Sequence, residues 1–320
     1  MSRRIIVTGA AGLVGHRLVR RLREQGHDVV EIDLLPHAGA GLDYSSPEAL
    51  ALCDGSIDGI IHLAAISRVA WGEQDPELCK AINVAGMQRL LAHMRAAAPE
   101  AWFLFASSRE VYGEARQDLV REHDPLAPVN VYGRSKLGGE KLVDQARAAG
   151  CATATVRLCN VYGGRQDHPD RAVPSLAWRT VTEQTLHLTG GDAYFDFVHV
   201  DDVVDGLIRA MHLLATGETR LPTVHLATGE ATSLRALANL TLQIAGGGST
   251  IVEHAARDFD VSGFCGAPEL AEKVLGWKAG VTLERGLAMV IADLRANGAL
   301  PPVELADIQS AARQASTVET

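Results

Sequence analysis

The chain has 320 residues, 47% hydrophobic and 22% charged, with a net charge of −9. That size and balance suit one large domain or two unequal ones with a sizeable buried core. The acidic sum gives no electrostatic case for nucleic acid or an anionic membrane, and no apolar run approaches the ~20 residues that span a bilayer.

The opening Met1-Ser2-Arg3-Arg4 precedes an apolar stretch that stops at Thr8 and enters glycines, as a strand entering a turn does and a signal peptide does not. Arg4–Thr8 therefore reads as a strand. Leu13, Val14, Leu18 and Leu22 then make a helical stripe that ends at Gly26. Further strands are expected at 28–33, 59–64, 101–106 and 152–157. Helices are expected at about 76–98, closed by Pro99, and 131–149. Apolar strands alternating with helices imply an α/β fold, a Rossmann-type doubly wound parallel sheet covered on both faces.

After Asn160 the rhythm breaks. Gly163, Gly164, Pro169 and Pro174 mark a loop-rich crossing. A strand-like 185–188 follows, with helices at about 200–215, 234–244, 268–275 and 283–294. The expected division is a dinucleotide-binding part at 1–165 and a smaller α/β substrate lobe at 166–298, interleaved with returns to the main sheet. From about Ala299 onward the pattern fades, as in a flexible tail.

The five cysteines (Cys53, Cys79, Cys151, Cys159, Cys265) are scattered without a C-x-x-C pair, which fits a reducing cytoplasm. The twelve histidines form no metal-binding pattern, and Asp167-His168-Pro169-Asp170 reads as a polar loop, so no metal is expected. Asp201 is expected to cap the helix that follows it.

Gly9, Gly12 and Gly15 follow a strand and open a helix, the setting of a dinucleotide turn. Glycines allow the sharp bend and the approach of a pyrophosphate, and the helix start supplies free N–H groups and partial positive charge. Asp33 ends the second strand eighteen residues past Gly15. A carboxylate there accepts from both adenosine ribose hydroxyls and repels the extra phosphate of NADP, so NAD is the expected cofactor. Asp43 is a further candidate, for the adenine amine.

Tyr132 and Lys136 lie four apart on one helix face, about 120 residues behind the glycine turn. A phenol with a pKa near 10 is a poor base at neutral pH; an adjacent ammonium favours the phenolate. Such a group takes a hydroxyl proton while hydride leaves the carbon. Ser107 and Ser108 end the fourth expected strand, where open α/β sheets bind ligands. Either presents a hydroxyl to the same reacting oxygen.

Together with His62-Leu63-Ala64-Ala65, Asn83-Val84-Ala85-Gly86, Ser107–Gly113, Asn160–Gly163, Asp196–Asp202 and Leu275-Gly276-Trp277, these motifs resemble the extended short-chain dehydrogenases. Within them the likeness is to the NAD-dependent epimerase/dehydratase group that acts on nucleotide sugars, and it runs over roughly residues 3–295. The resemblance implies a hydroxyl role for Ser108, acid/base work for Tyr132, and a Lys136 that orients the nicotinamide ribose and lowers the tyrosine pKa. It implies that Leu63, Ala64, Ala65 and Asn83 line the cofactor, that Asn160 meets the substrate near its phosphates, and that Arg257 grips the nucleotide. It also implies a homodimer built on a helix pair.

Two departures stand out. Phe195 occupies a position where the family often has a pyrophosphate-binding arginine, which leaves Arg165, Arg171 or Arg179 to compensate. Glu110 matches a glutamate that dehydratases and decarboxylases use on the C5 proton, yet Arg109 stands where the 4,6-dehydratases have an acid. Four readings follow: a nucleotide-sugar 4-epimerase, a dehydratase or decarboxylase using Glu110, an NAD-dependent dehydrogenase of a non-nucleotide sugar or polyol, and a non-catalytic NAD-binding protein. The Ser108/Tyr132/Lys136 set, without an acid at position 109, favours the first.

Overall fold

A computed structural model describes residues 2–35, 41–114, 119–218, 221–257, 260–298 and 303–317. Its first half follows the expected alternation. Strand β1 (Arg4–Thr8) leads into α1 (Leu13–Glu24), which buries Leu18, Val19 and Leu22 along one stripe. Then come β2 (Asp28–Ile32), a short α2 (Pro47–Leu50), β3 (Gly59–His62), α3 (Val69–Gln74), α4 (Pro76–Lys80) and α5 (Met87–Ala97). After these lie β4 (Trp102–Ser108), α6 (Val131–Ala148) and β5 (Thr153–Leu158).

The second half holds β6 (Asn160–Tyr162), α7 (Ala172–Val181), β7 (Leu186–Thr189), β8 (Tyr194–His199) and α8 (Val200–Ala215). Next are β9 (Val224–Leu226), β10 (Ala231–Ser233), α9 (Leu234–Ala245), β11 (Ile251–His254) and β12 (Gly263–Phe264). The last elements are α10 (Glu269–Leu275), α11 (Leu283–Asn297) and α12 (Leu305–Thr317).

Six parallel strands form the main sheet in the order β2-β1-β3-β4-β5-β9. Alternate side chains fill its two faces. Ile5, Val7, Ile61 and Leu104 pack toward α1 and α8, while Ile6, Ile60, Phe103 and Phe105 pack toward α5 and α6. The chain leaves β1 for β2 on one side and returns to β3 on the other. That reversal opens a crevice at the strand C-termini, where such sheets bind ligands. The smaller strands make a β10-β8-β12 sheet, with β6 alongside β8, and a β7–β11 pair. No described helix is long and apolar enough to cross a membrane, and the five cysteines are free and buried.

The chain departs from the sequence reading in five places. The expected helix at 76–98 is interrupted by a π-helical turn over Ala81–Gly86, within which Asn83 faces inward. The loop-rich crossing contains α7, whose Pro174 sits in the first turn, where no intrahelical bond is lost. Tyr194–His199, unassigned above, is the central strand of the second sheet. The cap of α8 is His199, whose Nδ1 accepts from the Asp201 N–H (3.3 Å), while Asp201 pairs with Arg17 at 2.9 Å. And the expected tail carries α12; residues 299–302 and 318–320 of that segment lie outside the described residues.

Candidate active site

The glycine turn is built by backbone contact. Gly9 has φ +71°, and a Cβ on it would lie 2.7 Å from the Ala64 nitrogen; one on Gly15 would lie 2.0 Å from the Gly9 carbonyl oxygen. Both positions therefore exclude a side chain. Gly12 is different. Its nearest contact for a Cβ is the Gly9 oxygen at 3.4 Å, and it begins α1 with no side chain capping the first turn. The N–H groups of that turn are thus presented to an incoming anion.

Asp33 is fixed beside this turn. Its carboxylate accepts from the Ala11 N–H and the Leu35 N–H, each at 2.9 Å. The Leu42 N–H donates to the Asp33 carbonyl (2.8 Å), bringing Asp43 near. The Asp43 carboxylate is held by the Ser45 N–H (2.8 Å) and hydroxyl (2.9 Å). Leu63, Ala64 and Ala65 follow β3. The Leu63 N–H donates to the Thr8 carbonyl (3.1 Å) and the Ala64 N–H to the Thr8 hydroxyl (3.3 Å), which also bonds His62 Nδ1 at 2.7 Å. A helix start without a side-chain cap, a glycine with room above it and a carboxylate after β2 fit a dinucleotide.

The second cluster lies where β4 meets α6. Ser108 ends β4; its hydroxyl accepts from the Glu110 N–H at 3.2 Å and is a hydrogen-bonding neighbour of Tyr132 that favours the phenolate. Asn130 caps α6, its side-chain oxygen accepting from the Gly133 N–H at 2.7 Å, which fixes where the Tyr132 turn starts. Lys136 donates to the Ala106 carbonyl at 2.8 Å, and its ammonium lies 5.9 Å from the Tyr132 ring centroid. Burial lowers Lys136 to about 8, with Cys79 and Glu140 opposing. Burial raises Tyr132 to about 12; the Ser108 hydrogen bond opposes this, Glu110 and Cys79 add to it, and the Arg171 charge lowers it. Lys136 is not among the largest of these influences on the phenol. In this protein, desolvation outweighs the other effects and Ser108 is the leading group that favours the phenolate.

Several expected site residues are engaged within the protein. Ser107 points to the opposite face from Ser108, where its hydroxyl donates to Glu140 (2.5 Å). Glu140 is also clamped by Arg157 at 2.9 and 2.7 Å. Asn83 brackets the Ile66 backbone (2.8 and 3.1 Å) and donates to Ser135 at 2.8 Å, one turn from Tyr132. Arg257 is exposed and paired with Asp260 at 2.7 Å; Asp258 and Phe259 between them lie outside the described residues.

Glu110 is buried with both carboxyl oxygens engaged, one by Arg109 and one by the Asn130 amide, each at 2.7 Å. Arg109 also donates through Nε to the Asn160 side-chain oxygen (2.6 Å), and its guanidinium stacks 4.5 Å from the Phe195 ring centroid. A guanidinium thus stands at Phe195, supplied from position 109. Of the three arginines considered as substitutes, Arg165 bonds the Asn297 carbonyl, Arg171 pairs with Asp167 and Arg179 bonds the Thr185 carbonyl. A cavity of about 380 Å³ lies between Leu13 and Arg17 of α1, the Gly163–Asp167 loop and α11. It borders the dinucleotide turn rather than the Tyr132 hydroxyl.

The sequence reading missed Asn130 and Cys79, and it weighed Arg171 only as a phosphate contact, not as a charge acting on Tyr132. An asparagine just before an expected helix is a readable cap signal. Arg171 and Cys79 carry no local mark, because only the fold brings them to Tyr132.

The model of the NAD-dependent epimerase/dehydratase family matches residues 5–221. A UDP-glucose 4-epimerase from Lacticaseibacillus casei is 30% identical over 304 residues, covering 86% of this chain and 91% of that protein. The solved structure of MoeE5 in complex with UDP-glucose and NAD has a TM-score of 0.84 at 30% identity, covering 91% of this chain and 98% of that one. DesIV, a dTDP-glucose 4,6-dehydratase from Streptomyces venezuelae, solved with NAD bound, has a TM-score of 0.82 at 27% identity, covering 92% and 97%. This chain, with its glycine turn, its Ser108–Tyr132–Lys136 corner and its parallel Rossmann-type sheet, belongs to the NAD-dependent epimerase/dehydratase family and is an NAD-dependent enzyme.

Proposed function

We propose that this protein is a nucleotide-sugar 4-epimerase working through transient oxidation to a 4-keto sugar. Gly9, Gly12, Gly15 and Asp33 hold the dinucleotide, with Asp43 and Leu63–Ala65 at its edges. NAD, when bound there, would supply the hydride acceptor and donor. Tyr132 takes the proton of the sugar C4 hydroxyl at its Oη and later returns it. Ser108 holds that oxygen and stabilises the phenolate through its hydrogen bond. Lys136, anchored on the Ala106 carbonyl, would orient the nicotinamide ribose.

The observation that supports epimerase over dehydratase or decarboxylase is Glu110. Both of its oxygens are engaged, by Arg109 and Asn130, so it is not poised to take a C5 proton. The nucleotide-sugar class rests on relatives named for UDP-glucose. The same reading takes the smaller sheets as the substrate lobe and expects a homodimer, checked by light scattering that reports two chains per particle.

The test is a panel of UDP-, dTDP- and GDP-sugars, with C4 configuration followed by NMR. Interconversion of the C4 epimers with no net absorbance change at 340 nm is expected. A stable keto or ene product would move the assignment to the dehydratases, and stoichiometric NADH release to the simple dehydrogenases.

A further inference from the structure

The C-terminal helix α12 has no part in the chemistry above, yet it covers the outer wall of the reacting corner. Leu305 and Ile308 pack on the cluster of Ile66, Trp71 and Cys79, beside Leu78, Ile82 and Val131. Each of these contacts lies one step from the site. Val131 precedes Tyr132. Cys79 sits close enough to act electrostatically on both Tyr132 and Lys136. Ile66 is the residue whose backbone Asn83 brackets. Gln309 adds a polar tie, donating to Asp75 at 2.8 Å, the same side chain that caps α4.

The segment entering α12 is tied to a different part of the molecule. The Val303 carbonyl accepts from His168 Nε2 at 2.7 Å. His168 lies in the loop between β6 and α7, edge-on to Trp71 at 5.3 Å, and its other nitrogen meets Asp170. Asp170 in turn pairs with Arg68, which follows β3 and lies 5.4 Å over the Trp71 ring. Charged groups facing this knot are Arg68 and Asp170, with Asp167 and Arg171 alongside. The C-terminal segment therefore joins α3, α4 and the start of α6 to the loop after β6.

We propose that α12 is a strap that presses the 168–170 loop onto α3 and shuts the corner containing Tyr132, and that its closure retains the oxidised sugar until hydride returns. The retention clause rests on the epimerase reading; the strap itself does not. Enclosing a reactive ketone prevents its loss to solvent, and a helix docked by a few apolar side chains is drawn from the low-stability end of a structure, where opening is accessible.

The experiment uses the full-length chain and the double variant Leu305→Asp/Ile308→Asp. A disulfide thiol reagent reads the opening through Cys79, which is buried beneath the strap. Replacing two partly buried apolar side chains by carboxylates should speed labelling of Cys79 by at least about tenfold, and the added phase should vanish when Cys79→Ser is introduced. With UDP-glucose as the probe, KM should rise about fivefold or more while kcat changes less. Absorbance at 340 nm should accumulate slowly as ketone escapes and leaves reduced cofactor behind. A chain ending at Gly298, measured the same way, replaces the double variant if that fails to fold. Unchanged Cys79 labelling would show that α12 does not gate the corner. Faster labelling with KM and ketone escape both unchanged would show that it merely covers the surface, and would also overturn the proposal. Because labelling needs no turnover, a protein that epimerises no nucleotide sugar but labels as expected would refute the functional reading and leave the strap standing.

Discussion

The glycine turn and the β4–α6 corner lie at the same end of one sheet but are built from different materials. At the turn, backbone meets backbone: Gly9 against Ala64, Gly15 against Gly9, and Asp33 held by N–H groups of the chain. At the corner, buried side chains neutralise one another. Glu110 is held by Arg109 and Asn130, Glu140 by Arg157 and Ser107, while Lys136 rests on a carbonyl. On the proposed reading, the first region holds a ligand whose phosphates do not change in the reaction. The second must exchange a proton, so its groups are titratable, and their burial moves Tyr132 and Lys136 in opposite directions. Mutations should therefore act on fit at the turn and on charge at the corner.

The largest effect should come from Tyr132→Phe. Removing the hydroxyl leaves packing intact and takes away the proton acceptor, so turnover should fall at least ~100-fold while NAD stays bound. Single-turnover assays with fluorescence-monitored NAD binding would separate the two, and an unchanged rate would remove Tyr132 from the mechanism. Next is Arg109→Met, which leaves Glu110 buried without its ion pair. Breaking a buried pair costs about 3–5 kcal/mol, so the urea midpoint should drop sharply. If the variant folds, a freed Glu110 should also permit exchange of the sugar C5 hydrogen with deuterated solvent. Stability equal to wild type would mean that the pair contributes nothing.

The turn can be tested within itself. Gly15→Ala drives a Cβ to 2.0 Å from a backbone oxygen, and overpacking of this kind costs about 1–3 kcal/mol. Gly12→Ala meets nothing closer than 3.4 Å within the protein. It should leave Tm unchanged and weaken NAD binding instead. Equal losses of Tm for the two would contradict the separation of fold and ligand roles.

What was legible in the sequence follows the same division. The turn could be read because its demands are local: three glycines, one strand and one helix start within fifteen residues of sequence. Tyr132 and Lys136 could be placed for a similar reason, since spacing on a helix is a local fact; the strand end left Ser107 and Ser108 both open, and the family resemblance singled out Ser108. The partners of those residues could not. Ser107 finds Glu140 33 residues on, and Arg109 finds Asn160 51 residues on, so neither destination is marked by neighbours. Strand β8 escaped notice because Asp196 interrupts an otherwise apolar run. That carboxylate is buried and satisfied by the Thr228 and Gly229 N–H groups at 2.9 and 3.0 Å, from a loop 32 and 33 residues away. Helix α12 was hidden for another reason: among its described residues the apolar contacts are Leu305 and Ile308, too short a stripe to stand out.

A smaller effect concerns Ser108. Its hydrogen bond favours the Tyr132 phenolate, so Ser108→Ala should raise the tyrosine pKa further. Activity that depends on the phenolate should then show its acid limb displaced to higher pH, with a loss at neutral pH of about tenfold for each pH unit of displacement. A limb that stays in place while kcat falls would mean that Ser108 positions the sugar and does not tune the phenol.

The smallest effect joins the two regions. His62 is stitched to Thr8 beside the turn, and burial first, then the Lys136 charge, lowers its pKa to about 3. In the unfolded chain a histidine takes its proton near 6.5. Between those values the unfolded state binds a proton that the native state refuses, so native stability falls as pH drops from about 6.5 toward 3 and is unaffected by this group above 6.5. His62→Gln keeps a hydrogen-bonding partner for Thr8 and removes the titration. Urea unfolding at stepped pH should then show a shallower acid slope, by up to about 1.4 kcal/mol per pH unit. The slope should not vanish, because burial also lowers His199 and His225. An identical slope in the variant would mean that the His62 ring is protonated in the native protein, and that the charge on Lys136 does not reach across from the corner to the turn.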